Sequence, residues 1–125
     1  MKLLLDTHVL LWCLGDSTRL RAEVRRAIEN PDNLVFASVV CAWEIEIKRQ
    51  LGKLDVPDDL EDRLRSIRFA ELPVRMAHVS QLRSLPPLHR DPFDRMLVAQ
   101  AIADDLVVVT HDPRVRAYPA RSMQA

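Results

Sequence analysis

Three consecutive leucines, Leu3-Leu4-Leu5, stop abruptly at Asp6-Thr7-His8. So short an apolar run, ended at once by a carboxylate, reads as a strand buried on both faces. Such a strand needs a covering layer on either side, and this points to a mainly parallel sheet clad by helices. In open sheets of that kind, ligands bind just beyond the carboxyl ends of the strands, where the strand order reverses. Asp6 stands at such an end.

The rest of the chain alternates between the two periodicities. Thr7 is positioned to cap a helix over His8–Leu14, ended by Gly15. Asp16-Ser17-Thr18 opens a second helix, Arg19–Asn30, with Leu20, Val24 and Ile28 on one face. Leu34-Val35-Phe36 reads as a strand, and Ser38 as the cap of a helix over Val39–Leu51 that ends at Gly52. Val39, Val40, Trp43, Ile47 and Leu51 are its expected apolar stripe. Val56-Pro57-Asp58 opens a helix carrying Leu60, Leu64 and Ile67, then Phe69–Leu72 reads as a strand and Pro73–Leu85 as a helix. After the break at Pro86-Pro87, Asp91 caps a helix begun by Pro92 and running to Asp105. Leu106–Val109 is the clearest later strand, and Thr110-His111-Asp112-Pro113 caps a final helical turn. Tyr118-Pro119 closes the expected ordered part, leaving the tail to Ala125 without a structural signal. The sum is a single domain over residues 1–125, a three-layer α/β/α sandwich with a mainly parallel central sheet.

Composition narrows the function classes. Charged residues make up 29% and apolar ones 48%, the balance of a folded soluble chain. Formal net charge is +0, so no global basic field marks a nucleic-acid binder. Cys13 and Cys41 form no CxxC pair, which argues against a zinc site or a disulfide framework and favours a reduced, cytoplasmic setting. The residues before Asp6 are too few for a signal peptide's apolar core, and Val9–Leu14 is too short to span a bilayer. With glycine only at positions 15 and 52, no glycine-rich phosphate loop exists.

Acids carry the chemistry. Asp6 and Asp112 each precede a helix they can cap, yet Asp6 adjoins a wholly apolar strand, where an unpaired charge is costly. Glu44 is placed to pair with Lys48 four residues on, but it also borders the buried stripe through Val40, Cys41 and Ile47. Glu46 is the better surface acid. Asp94 is the most telling: Leu97, Val98 and Ala101 follow it on one helical face, and a carboxylate at the head of a core stripe needs a cation or donors. The helix N-terminus contributes only on the order of 1 kcal/mol. Asp91 is the simplest cap, with a secondary claim on metal or water. Four acids, Asp6, Glu44, Asp94 and Asp112, can thus meet in space. Crowded anions raise one another's proton affinity unless a divalent cation is present. Oxygen-only ligands with retained waters suit Mg²⁺ or Mn²⁺, whose chemistry is in-line displacement at a phosphodiester.

Four segments, Leu3-Leu4-Leu5-Asp6-Thr7, Ala42 to Lys48, His89 to Arg95 and Val109-Thr110-His111-Asp112, together resemble the PIN-domain ribonucleases, specifically the VapC-type toxins of bacterial toxin–antitoxin pairs. The resemblance spans nearly the whole chain in the family's order. It implies that Asp6, Glu44, Asp94 and Asp112 form the catalytic metal cluster, with Thr110 as a supporting hydroxyl and Asp91, Thr7 and Arg95 as further supporting candidates. It also implies Mg²⁺- or Mn²⁺-dependent endonucleolytic cleavage of RNA by metal-activated water, on a tRNA or rRNA loop. The implied partners are a small VapB-type antitoxin seated in a groove beside the site and a second copy of the toxin. Cys41 departs from the family, where a small hydroxyl residue is usual one turn before the glutamate.

Other residues have plainer readings. His89 and His111 flank candidate acids without a spaced histidine partner, and read as solvated or RNA-side contacts. Arg90 and Arg95 stand where they can hold phosphate or pair with Asp91. Trp12 and Trp43 read as core or partner-groove residues rather than base-stacking platforms. Two rival functions are a phosphorylatable receiver domain and a non-catalytic RNA- or protein-binding module. The receiver reading requires paired acids after the first strand and a lysine after the last, whereas Asp6 stands alone and Thr110-His111-Asp112 follows the last strand.

Overall fold

The computed structural model describes residues 1–125. Five parallel strands, β1 (Lys2–Leu5), β2 (Leu34–Ser38), β3 (Ala70–Leu72), β4 (Val107–Thr110) and β5 (Ser122–Gln124), form one sheet in the order β3-β2-β1-β4-β5. The helices are α1 (Thr7–Leu14), α2 (Ala22–Glu29), α3 (Val39–Gln50), α4 (Leu60–Ser66), α5 (Met76–Gln81), α6 (Pro92–Asp104) and α7 (Pro113–Arg116). Leu3, Leu4 and Leu5 point alternately to opposite faces, and all three are 0% exposed, so both faces of the sheet are covered. The sandwich read from the sequence is the fold observed. No helix is long and apolar enough to cross a membrane.

The strand order fixes where chemistry can happen. β1 is central, with β2 on one side (Leu3 opposite Val35) and β4 on the other (Leu4 opposite Val108). The chain leaves β1 towards β2 and β3, then returns to place β4 on β1's other edge. The reversal therefore falls between the carboxyl ends of β1 and β4, with that of β2 next to them. The residues there are Asp6, Ser38 and the segment Thr110–Asp112.

Several expected boundaries shift, each for a local reason. Asp6, not Thr7, caps α1, its Oδ1 accepting the Val9 N–H at 2.8 Å. Asp16 spends its cap on a 3-10 turn over Ser17–Arg19, which delays α2 to Ala22. The helix expected from Pro73 starts only at Met76, because the Arg75 N–H donates to His78 Nδ1 at 3.0 Å and holds Arg75 extended. Ile67 falls beyond the end of α4 and is 39% exposed. On α3 the buried face is Val40, Cys41, Glu44 and Ile45, whereas Trp43 and Leu51 are exposed. The expected stripe was rotated from the real one because Glu44, a polar residue, belongs to the inward face. The tail beyond Pro119 is also ordered: β5 pairs with β4, Val109 opposite Met123, and the Ala125 N–H donates to the Thr110 carbonyl at 2.9 Å.

Gln100, on α6, is fully buried. Its Oε1 accepts the Ser38 hydroxyl at 2.6 Å, and its Nε2 donates to the Pro73 carbonyl at 3.2 Å. One amide thus ties the start of α3 and the segment after β3 to α6. Gln100→Leu strands a buried hydroxyl and a carbonyl, and should cost about 1–3 kcal/mol in urea unfolding with an unchanged m-value.

Candidate metal centre

At the reversal point lies a cavity of about 270 Å³ with no hydrophobic residue in its wall. Asp6, Thr7, His8, Glu44, Lys48, His89, Asp91, Asp94, His111, Asp112 and Arg114 line it. Asp6, Glu44, Asp94 and Asp112, four acids from distant parts of the chain, thus face one space. Asp6 follows β1, Glu44 stands on the second turn of α3, Asp94 on the first turn of α6, and Asp112 between β4 and α7.

Helix starts build much of the site. Asp6, Asp91 and Asp112 are the N-caps of α1, α6 and α7. Asp91 Oδ1 accepts both the Phe93 N–H at 2.8 Å and the Asp94 N–H at 3.1 Å. Asp112 Oδ1 accepts the Arg114 N–H at 2.9 Å, while its own N–H donates to Thr110 Oγ1 at 3.0 Å. Capping and site membership are therefore not alternatives for these acids. Each cap holds one oxygen against the backbone, and three helix N-termini contribute partial positive charge around the cluster.

Glu44 is pinned from both sides. Thr7 donates its hydroxyl to Oε1 at 2.6 Å, and Lys48 Nζ lies 2.6 Å from Oε2. The Cys41 thiol, one turn earlier, donates weakly to the Leu5 carbonyl at 3.6 Å. Burial pushes that thiol up to about 12, so it stays protonated and takes no part as a thiolate.

Electrostatics separates the acids. Burial raises the pKa of Asp94, and Asp91 and Glu44 add repulsion, bringing it to about 6. Asp6 is also raised by burial, against the opposing pull of the Thr110 hydroxyl and the Val9 N–H. Asp112 goes the other way: burial acts to raise it, but the Arg114 guanidinium and N–H outweigh this and hold it below the usual range. Asp6 and Asp94, both raised, are oxygen donors that a divalent cation fits, because the cation's charge favours their ionised forms. His89, Asp94 and Asp112 each offer an atom within 4.8 Å of the other two.

Not every expected residue joins the cavity. Arg95 turns away from it, donating to the Pro86 carbonyl at 3.1 Å and the Tyr118 hydroxyl at 3.0 Å, so the phosphate-side reading of Arg95 does not hold. Thr110 is fully buried beneath Asp6 and Asp112. His89, read as a solvated or RNA-side contact, is not solvated: its ring is buried, with Nε2 2.8 Å from Asp94 Oδ2. Only the proline-stiffened turn before it hinted that the ring was held. His8 and His111 are exposed at the rim, their rings 5.2 Å apart.

A model of the PIN domain matches residues 3–120. The chain belongs to the PIN-domain family. It is 31% identical over 120 residues to Ribonuclease VapC22 of Mycobacterium tuberculosis, covering 92% of this chain and 90% of that protein. Among solved structures it is similar to VapBC2 of Rickettsia felis bound to a promoter DNA fragment, with a TM-score of 0.73, 14% identity and 100% and 99% of the two chains covered. DNA-bound VapBC of Salmonella typhimurium aligns with a TM-score of 0.66 at 18% identity, over 99% and 98% of the chains. This PIN-domain family membership displaces the receiver reading and accounts for the strand order.

The raised Asp94 gives a signed expectation for the metal-free protein. Its folded pKa lies above the unfolded value near 4, so between about pH 4 and 6 the native state binds the extra proton and stability falls as pH rises. Asp94→Asn removes that loss. Thermal unfolding in EDTA at pH 7 should show the variant more stable by about 1–2 kcal/mol, after allowance for solvent screening, with little difference at pH 4.

Proposed function

We propose that this PIN-domain protein is a divalent-cation-dependent endoribonuclease, the toxin of a type II toxin–antitoxin pair, cleaving phosphodiester bonds in RNA. The observation that carries this reading is the convergence of Asp6, Glu44, Asp94 and Asp112 on one cavity at the sheet's reversal point. The similarity to a VapC ribonuclease supports it.

In this reading Asp6, Glu44, Asp94 and Asp112 hold Mg²⁺ or Mn²⁺. When bound, the cation supplies positive charge for the phosphate oxygens and lowers the pKa of a water for in-line attack. The chain's own residues keep the acids in place. Thr7 and Lys48 hold both oxygens of Glu44, so that it does not swing away when a neighbour ionises. Arg114 binds Asp112 and holds its pKa below the usual carboxylate range, and the α6 N-terminus with its Asp91 cap fixes the backbone under Asp94.

A VapB-type antitoxin segment and a second copy of the chain are the proposed partners. An exposed apolar patch supports this: Trp43 is 63% exposed and stacks edge-on against Phe93 at 5.0 Å, beside Val39, Val74 and Met96. Such a patch on a chain of this size marks an interaction surface. Trp43 thereby keeps the partner-groove reading and leaves the core one. The proposed setting is cytoplasmic, and the proposed target is a tRNA or rRNA loop.

Purified protein incubated with end-labelled total tRNA and rRNA should give discrete fragments with Mg²⁺ or Mn²⁺ and none with EDTA. Asp94→Asn should remain folded and lose cleavage by at least 100-fold. Wild-type cleavage by that variant would remove Asp94 from the ligand set. A folded wild-type protein that neither cuts RNA nor binds Mn²⁺ would leave a binding module.

A further inference from the structure

His89 lines the acidic cavity without capping a helix, its ring set against the carboxylates of Asp94 and Asp112, and the structure fixes it with unusual care. Its N–H donates to the Tyr118 hydroxyl at 2.9 Å, and that hydroxyl lies 3.4 Å from the His89 carbonyl. Arg95 holds the same hydroxyl at 3.0 Å and the Pro86 carbonyl at 3.1 Å, so both ends of the Pro86–His89 turn are clamped. The ring is fixed as well. Nδ1 accepts the Arg90 N–H at 3.0 Å and the Asp91 N–H at 3.4 Å. With that lone pair engaged, the neutral ring carries its proton on Nε2, an assignment made from the hydrogen-bond network.

Nε2 opens on the cavity, 2.8 Å from Asp94 Oδ2 and 3.8 Å from Asp112 Oδ2. Its N–H bond is not aligned with either oxygen, and the buried Nε2 is left without a hydrogen-bond partner. A buried donor without a partner is uncommon and points to a group that arrives from outside. The group is not a cation, because a nitrogen bearing its proton has no lone pair to offer. The charged donors in the wall are already engaged, Lys48 with Glu44 at 2.6 Å and Arg114 with Asp112 at 3.2 Å. A phosphate oxygen entering among four carboxylates would otherwise meet mostly acceptors.

We propose that His89 donates an Nε2–H hydrogen bond to a non-bridging oxygen of the phosphodiester bound in the acidic cavity, and that it is not a ligand of the cation. The phosphodiester in this statement rests on the ribonuclease reading above. Tyr118 and Arg95 are then positioning residues that act through the His89 backbone.

Two measurements test this. The first is long-range ¹H–¹⁵N NMR of the full chain labelled at histidine, with His89 assigned from His89→Gln. The Nε2–H tautomer should persist when Mg²⁺ is added, and the Nε2 proton should move downfield on addition of saturating dimethyl phosphate. Loss of that proton on Mg²⁺ addition, or a signal that dimethyl phosphate leaves unmoved, overturns the proposal. The second compares variants. His89→Ala should lower kcat/KM on end-labelled RNA by roughly ten- to hundred-fold, the range for a hydrogen bond to a charged group. His89→Gln, whose amide N–H reaches a similar place, should recover most of it. Mn²⁺ affinity by calorimetry should stay within about two-fold for all three proteins. A ten-fold loss of Mn²⁺ affinity in His89→Ala, or equal losses of activity in the Ala and Gln variants, would sink it. A dimethyl phosphate shift in a protein that cuts no RNA would keep His89's role and remove the ribonuclease reading. Cleavage by His89→Ala at the wild-type rate would do the reverse.

Discussion

Asp94 faces Asp91, Glu44 and Asp6 across a partly buried cavity, and His89, the basic residue that acts against that repulsion, does not offset it. Lys48 is committed to Glu44, and Arg114 to Asp112. Asp94 is left with the α6 N-terminus, which contributes at most about 1 kcal/mol at a partly exposed position, and with His89, whose N–H is misaligned. Burial first, and the repulsion after it, bring the Asp94 pKa to about 6, so the carboxyl ionises at a higher pH than an ordinary aspartate. A strained acid of this kind destabilises the native state. The fold tolerates it because Leu97, Val98 and Ala101 on the same helix are nearly or fully buried and anchor α6 against the sheet.

The same helix ends that create the strain also organise the site. Three parallel-sheet crossovers deliver helix N-termini to one edge, and each terminus is capped by an aspartate of the cluster or next to it. Capping uses one carboxylate oxygen and leaves the other free to face the cavity. The acids are thereby oriented by the backbone rather than by long flexible partners. Glu44, too far along α3 to cap it, is the exception and needs Thr7 and Lys48 to fix both of its oxygens. Fixing the acids in this way lowers the ordering cost when a ligand binds.

How much of this was legible in the sequence depended on the range of the interaction. The Leu3–Leu5 run and the Asp91-Pro92 start depend on neighbours within a few residues, and both came out as read. That Asp94 faces the cavity was legible because a carboxylate heading an apolar stripe contradicts its surroundings. The stripe on α3 was misread because two overlapping patterns exist there, and only the position of the cavity decides that Glu44 faces inward while Trp43 faces out. β5 was invisible because Ser122–Gln124 has no apolar run; it is a strand only because the exposed edge of β4 offers it a ladder. His89 was misjudged for a similar reason. Its backbone is held by Tyr118, 29 residues away, and nothing in a single sequence couples the two.

Zero net charge also bears on how a polyanion reaches this site. Without a net positive charge, the chain as a whole does not steer a polyanion, and association depends on what the cavity offers at short range. Its lysine and arginine, Lys48 and Arg114, are paired with acids, and its acids repel phosphate until a cation is present. Affinity for nucleic acid in the proposed reading is therefore conditional on the cation, and a cation-free chain is electrostatically closed to its substrate. The proposed His89 Nε2–H contact fits that logic as a donor held by the backbone rather than by a long flexible chain. A lysine in its place would collapse onto the carboxylates. An imidazole whose Nδ1 is tied to two backbone amides stays aimed at the space between them.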